Sequence, residues 1–178
     1  MTKKWTFVLF LALVAPLAVA NDSLVRFKGG IGVIPVSSGV AIPPTLATAT
    51  TVESVNRNIV RTVQPPGQIW VIADLRADVT TDGRIKVRGR GLLLGGGNGI
   101  GTNANQSVFA TLICEAAAPF MLRNTTLSGV PLEANGDFRI DDVLTPAPAD
   151  CASPVLLIRN VGGAWFAAGI LNRRNDDD

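Results

Sequence analysis

Residues 69–94 read IWVIADLRADVTTDGRIKVRGRGLLL, two strand-like segments on either side of the turn sequence Thr81-Asp82-Gly83. A two-residue Asp-Gly turn would set polar side chains opposite apolar ones. A three-residue turn, with Gly83 in the left-handed conformation, keeps apolar and charged side chains on separate faces. Because side chains alternate along a strand, only this register achieves the separation. It pairs Val79 with Ile85, Ala77 with Val87, Thr80 with Arg84, Asp78 with Lys86 and Asp74 with Arg90.

The far end of this hairpin loses the alternation. Residues 69–72 and 92–94 are apolar at every position, which is typical of strands covered on both faces, so we expect them at the centre of a sheet. Residues 95–101 (GGGNGIG) then form an irregular loop that lacks the lysine of a phosphate-binding loop. Its glycines would let a ligand approach the backbone closely. The candidate ligand-binding residues of this loop are Gly97, Asn98 and Gly99.

The rest of the chain repeats short apolar runs separated by glycine, proline, Asn-Gly and Asp-Gly. This pattern predicts a single-domain, all-β antiparallel sandwich or a barrel-like fold with one disulfide. The further strands expected are residues 24–36, broken at Gly29-Gly30; 58–63; 107–114; a hairpin of 127–134 with 137–143 around Asn135-Gly136; and a hairpin of 155–160 with 165–170 around Gly162-Gly163.

The first twenty residues have the layout of a signal peptide. Lys3 and Lys4 precede the apolar run 7–14, and residues 18–20 (AVA) supply a small-residue cleavage site. The apolar run is too short for a membrane span, which needs about 20 apolar residues, and no later stretch is long enough either. We therefore expect a mature chain that starts at Asn21, has no transmembrane segment, and is extracellular, or periplasmic in a bacterium.

The domain organisation follows from this cleavage. Residues 1–20 are the signal peptide, 21–171 a β domain in which 37–54 is a low-complexity loop or covering segment, and 172–178 a charged tail that is predicted to be disordered. The full chain has 16 Lys+Arg and 14 Asp+Glu. Loss of two signal-peptide lysines leaves a neutral mature chain, which argues against a nucleic-acid partner.

Cys114 and Cys151 are the two cysteines of the sequence. In an exported chain they are expected to form a disulfide. A disulfide that closes the loop between residues 114 and 151 contributes about 4 kcal/mol to the free energy of unfolding in the chain-entropy model.

The sequence contains no histidine, which excludes histidine-based catalytic triads and the usual zinc sites. A hydrolase would have to use carboxylates, and the weak candidates for this role, and for calcium binding, are Asp137, Asp141 and Asp142. The EF-hand order of ligands is absent around them. No cofactor is expected. Three N-x-S/T tripeptides start at Asn21, Asn105 and Asn124, and the sequence does not say whether they are glycosylated.

The second strand of the first hairpin carries a stripe of cations: Arg84, Lys86, Arg88 and Arg90. In the predicted register Asp78 and Asp74 lie opposite two of them, as in ordinary cross-strand ion pairs. Arg84 and Arg88 remain free and are candidates for a small anion site. Two free cations are too few for a polyanion site.

These features favour a secreted, non-catalytic protein that acts by binding or as a structural component of a surface. Its partner would be a surface, a glycan or another protein, and its oligomeric state is open. The alternatives are a glycan-active β-sandwich hydrolase that depends on carboxylates, and a calcium-assisted carbohydrate-binding module. Catalysis is the less favoured class, because no catalytic motif is present.

The signal peptide makes a direct prediction about the mature chain. Mass spectrometry of protein recovered from the exported fraction should give the mass of a chain whose first residue is Asn21. A recovered chain that still contains Trp5 would contradict the predicted localisation.

Overall fold

A computed structural model describes residues 22–34 and 58–172 of the chain. The predicted signal peptide, the low-complexity segment 37–54 and the tail beyond Asn172 lie outside the described residues. No helix is present in the described part, and none there could cross a membrane.

Eleven strands are formed by the described residues. They are β1 (Ser23–Gly32), β2 (Trp70–Val71), β3 (Asp74–Thr80), β4 (Arg84–Arg90), β5 (Leu93–Leu94), β6 (Ser107–Ile113), β7 (Arg123–Asn124), β8 (Val130–Pro131), β9 (Phe138–Val143), β10 (Val155–Asn160) and β11 (Trp165–Leu171).

Nine of these strands form one antiparallel sheet that curls into a nearly closed barrel. Its order is β7-β6-β10-β11-β1-β3-β4-β9, and β8 adds to β6 beside β7. The two ends of the order meet at Asn124 and Thr145, whose backbones exchange N–H···O bonds of 3.0 and 2.8 Å. The all-β, barrel-like prediction is therefore confirmed.

The first hairpin has the predicted three-residue turn. Val79 lies opposite Ile85, and Gly83 has a φ of +85°. The same register continues to Trp70 opposite Leu94. The inward side chains of β3 and β4 are buried and the outward ones of β4 are exposed, so the alternation places one face in the core.

The apolar far end of this hairpin does not lie at the sheet centre, and that prediction is wrong. Residues 70–71 pair with 93–94 in a separate two-stranded sheet, and Val71 is 45% exposed. The reason is the Trp70 side chain, which enters the core and stacks on Phe166 with ring centroids 4.0 Å apart. The Trp70 amide donates to the Val33 carbonyl at 3.0 Å, which holds the ribbon beside the end of β1.

Two other strand predictions are also wrong. Residues 58–63 form a tight turn, in which Val60 and Val63 bridge and Arg61 has a φ of +45°. The Asn135-Gly136 turn forms, but the flanking segments separate, since β8 pairs with β6 and β9 pairs with β4. Gly136 packs against the backbone of Leu92, and the Leu92 amide donates to the Gly136 carbonyl at 2.9 Å. This contact holds the turn next to the end of β4, the strand with which β9 pairs.

The remaining connections agree with the sequence predictions. β10 and β11 form the hairpin around Gly162-Gly163. β1 contains an irregularity between Phe27 and Gly30, at the predicted glycine break. Cys114 and Cys151 are bonded, which ties the end of β6 to the segment before β10.

Gly89 tests how tightly β4 and β9 pack. A Cβ at Gly89 would overlap the ring of buried Phe138 on the opposite strand, whereas a Cβ at Gly67 would meet nothing within 4 Å. Gly89→Ala should therefore lower the free energy of unfolding by about 1–3 kcal/mol, the usual cost of overpacking. Gly67→Ala should change it by no more than about 0.5 kcal/mol. Urea unfolding of both variants measures the difference, and equal stabilities would contradict this packing.

Candidate functional site

The outer surface of four adjacent strands, β1, β3, β4 and β9, carries most of the described cations. We call the outward side chains of these strands the basic face. Among the described residues it contains eight cations and three carboxylates, a net excess of five positive charges. The cations are Arg26, Lys28, Arg76, Arg84, Lys86, Arg88, Arg90 and Arg139, and the carboxylates are Asp74, Asp78 and Asp141.

Four of these cations form a line across the strands, which we call the cationic row. Lys28 pairs with Arg76, Arg76 with Arg88, and Arg88 with Arg139 in the three consecutive ladders. Neighbouring strands are about 4.8 Å apart, so the row extends over about 14 Å. Like charges directly opposite each other destabilise a sheet. This row therefore calls for a reason other than stability.

The ion pairs of the face differ from those expected. Asp78 lies opposite Lys86 as predicted, but its carboxylate pairs with Arg26 of β1 at 2.6 Å. Asp74 pairs with Arg76 of its own strand at 3.3 Å.

Arg84, expected to be free, pairs with Asp82 in the turn at 3.1 Å, so that expectation is wrong. Lys86 is 3.9 Å from Asp141. In residues 22–34 and 58–172, no carboxylate lies within 4.0 Å of the charged groups of Lys28, Arg88 or Arg139. Within the described part of the chain, three of the four cations in the row therefore lack an ion-pair partner.

A shallow depression of about 360 Å³ lies on the basic face. It is bordered by members of β1, β3 and β4 and by Asn172 after β11. Three of the four cations of the row, Lys28, Arg76 and Arg88, line it. The depression gives the row a place where a ligand group can settle between the side chains.

The glycine loop lies in another part of the fold. The Gly95 amide donates to the Ile69 carbonyl at 2.9 Å, and the Gly101 amide donates to the Leu94 carbonyl at 2.8 Å. Side chains of Ile69 and Val71 pack over Gly95. The candidates Gly97, Asn98 and Gly99 thus belong to a wide turn beside the β2–β5 ribbon, whereas Arg84 and Arg88 lie on β4.

The three candidate carboxylates have different partners in the fold. Asp137 accepts a hydrogen bond from the Gly91 amide at 3.0 Å. Asp142 accepts one from the Thr126 amide at 2.8 Å, which holds the pKa of Asp142 below its ordinary value. Asp141 is exposed on the basic face. Within the described residues, no group of three or more His, Cys, Asp or Glu side chains could hold a metal ion.

The most buried ion pair among the described residues joins Glu115 and Arg123, and nothing in the sequence predicted it. Arg123 is 9% exposed and donates to Glu115 at 2.8 Å, and this hydrogen bond lowers the pKa of Glu115 to about 2. Glu115 also accepts a bond from the Met121 amide. The pair lies next to Cys114 and holds the segment after β6 against β7, so its role is structural.

Lys28 and Arg139 were also missed as site residues. Lys28 shares β1 with Arg26, and Arg139 is the one cation of β9. Nothing in the local sequence shows that β1 and β9 flank the first hairpin. Comparison of the chain with protein-family models, with curated proteins and with solved structures found no match.

The Glu115–Arg123 pair predicts how stability depends on pH. Because the pKa of Glu115 is depressed from 4.5 to about 2 in the folded chain, its contribution is complete above pH 4.5 and is lost as the pH falls towards 2. Glu115→Gln should therefore be less stable at pH 7, where Arg123 loses its partner, and should lose less further stability between these pH values. Urea unfolding at several pH values measures this. The exposed Glu133→Gln is the control, and parallel pH curves for wild type and Glu115→Gln would refute the assignment.

Proposed function

We propose that this protein is a secreted, non-catalytic binding protein that holds an anionic partner along the cationic row, formed by Lys28, Arg76, Arg88 and Arg139. The observation that carries the proposal is the cationic row, in which four like charges lie directly opposite one another on adjacent strands. Each opposed pair of this kind costs up to about 1 kcal/mol. An anion laid across the row removes that repulsion.

The chemistry of the row suits anions. Three of its members are arginines, whose planar guanidinium groups form paired hydrogen bonds with carboxylate, sulfate or phosphate oxygens. The side chains are exposed, so the attraction acts on an approaching partner and is screened by salt. We therefore expect binding that is strong at low ionic strength and weak at high ionic strength.

The carboxylates support binding over hydrolysis. A glycosidase needs one carboxyl group with a raised pKa to donate a proton. The pKa values of Asp142 and Glu115 are both lowered, by a backbone amide and by a guanidinium respectively. Asp137 is used to hold the Gly91 amide. These acids act as hydrogen-bond acceptors within the fold.

Secretion is supported by two independent features. The disulfide is of the kind that forms and persists in oxidising compartments. The first twenty residues follow the signal-peptide layout. The binding face would then meet partners outside the cytoplasm.

Chromatography on a sulfonate cation exchanger tests the use of the row. Arg88→Gln should elute at a lower salt concentration than the wild type, because it removes the central unpaired cation of the row. Arg84→Gln is the matched control: it makes the same change of charge on the same strand, at a cation already paired with Asp82.

Thermal unfolding supplies the second measurement. Arg88→Gln should unfold at a temperature equal to or above that of the wild type, since it relieves the repulsion from Arg76 and Arg139. Equal elution shifts for the two variants would show that the row has no special role and would contradict the proposal.

A further inference from the structure

We infer that the anionic partner is a linear acidic polysaccharide, which lies across the strands along the cationic row. This inference rests on the proposed function and specifies the class of its ligand. The ligand is a chain of sugars that carry carboxylate or sulfate groups on successive residues.

The length of the row is the first argument. Its four cations are repeated at the strand spacing of about 4.8 Å, over about 14 Å in total. A single small anion reaches two of them at most and leaves the others opposed. The repeat of one sugar residue in an extended chain is close to the strand spacing, so a polysaccharide with regular charges can place one anionic group near each cation.

The depression is the second argument. This shallow depression of about 360 Å³ is lined by Lys28, Arg76 and Arg88, and also by Asp78, so cations and one carboxylate border it together. A sugar ring can enter a recess of this kind and bring its charged substituent to the side chains. A flat layer of lipid head groups meets the protruding parts of a surface and leaves a recess unfilled.

The carboxylates beside the row are the third argument. The neighbouring positions two residues along the same strands alternate in sign: Arg26, Asp78, Lys86 and Asp141. Asp74 lies on the other side of the row. Carboxylates accept hydrogen bonds from hydroxyl groups, which sugars offer in large number. A polyphosphate chain offers acceptors alone, so it has no hydroxyl groups to donate to these carboxylates.

The composition of the face is the fourth argument. None of the outward side chains of β1, β3, β4 and β9 is aromatic, and Phe27 and Phe138 of these strands are buried. Proteins that bind single-stranded nucleic acids stack bases on exposed aromatic rings. Duplex readers insert a helix or a two-stranded ribbon into a groove, whereas here the row lies within a continuous sheet. A nucleic acid therefore fits this face poorly.

The test uses the mature chain and a set of defined polyanions at low ionic strength. The probes are oligogalacturonates from dimer to octamer, dextran sulfate, polyphosphate, a single-stranded oligonucleotide, and vesicles of phosphatidylcholine with phosphatidylglycerol. Affinity for the oligogalacturonates should rise with length up to about four sugars, the number that matches four strands, and then level off. Arg88→Gln and Arg139→Gln should each weaken binding about tenfold, as loss of a charge-assisted contact does. Arg84→Gln should leave it within about twofold.

Asp141 separates sugars from other anions. Asp141→Ala removes a repulsive charge and a hydroxyl acceptor together. It should therefore raise the affinity for polyphosphate more than the affinity for a galacturonate oligomer. An equal gain for both would overturn the role of the carboxylates.

The outcomes distinguish this inference from the proposed function. Binding of dextran sulfate or the galacturonates that depends on Arg88 supports both. If Arg88 matters for the sulfonate resin, the oligonucleotide, polyphosphate or vesicles while neither polysaccharide binds, the polysaccharide inference is wrong and the anion-binding function remains. If no polyanion and no resin responds to Arg88, both fail.

Discussion

The strict alternation of side chains along the hairpin of β3 and β4 is the constraint on which the rest of the molecule depends. The turn at residues 81–83 sets one register, and that register sends Leu75, Val79 and Ile85 inward with exposures of 0%. The same geometry sends the arginines outward onto a single surface. A shift of the pairing register by one residue would turn the charged side chains into the core and remove them from the basic face. The core and the basic face therefore share one structural determinant.

Local patterns predicted those parts of the fold that local physics decides. Residues close in sequence predict the glycine of the first turn and the Gly162-Gly163 hairpin. The disulfide was predictable because two cysteines allow a single pairing. The partners of β9 and β8 follow instead from the contact between Gly136 and Leu92, which are distant in sequence. An Asn-Gly pair predicts a turn in either arrangement, so the sequence could not separate them.

The candidate site shows the same division. Alternation alone predicted the stripe of cations on β4, and it also predicted that Arg88 has no carboxylate opposite it. Its extension through Lys28 and Arg139 depends on which strands flank the hairpin. The neutral balance expected after cleavage of the predicted signal peptide was a poor guide, because charge averaged over a chain says little about one side of a folded barrel. The excess on the basic face is balanced by acids elsewhere in the chain.

The position of β11 in the sheet determines when the barrel can close during synthesis of the chain. β11 is the last described strand, yet it lies between β10 and β1 and supplies Trp165, Phe166 and Ala167 to the core. Until β11 has been synthesised, the sheet has no strand to join β10 to β1, and β1 lacks one of its two neighbours. The barrel wall and its core can therefore be completed only after residues 165–171 have been synthesised, so the growing chain cannot close the barrel one strand at a time.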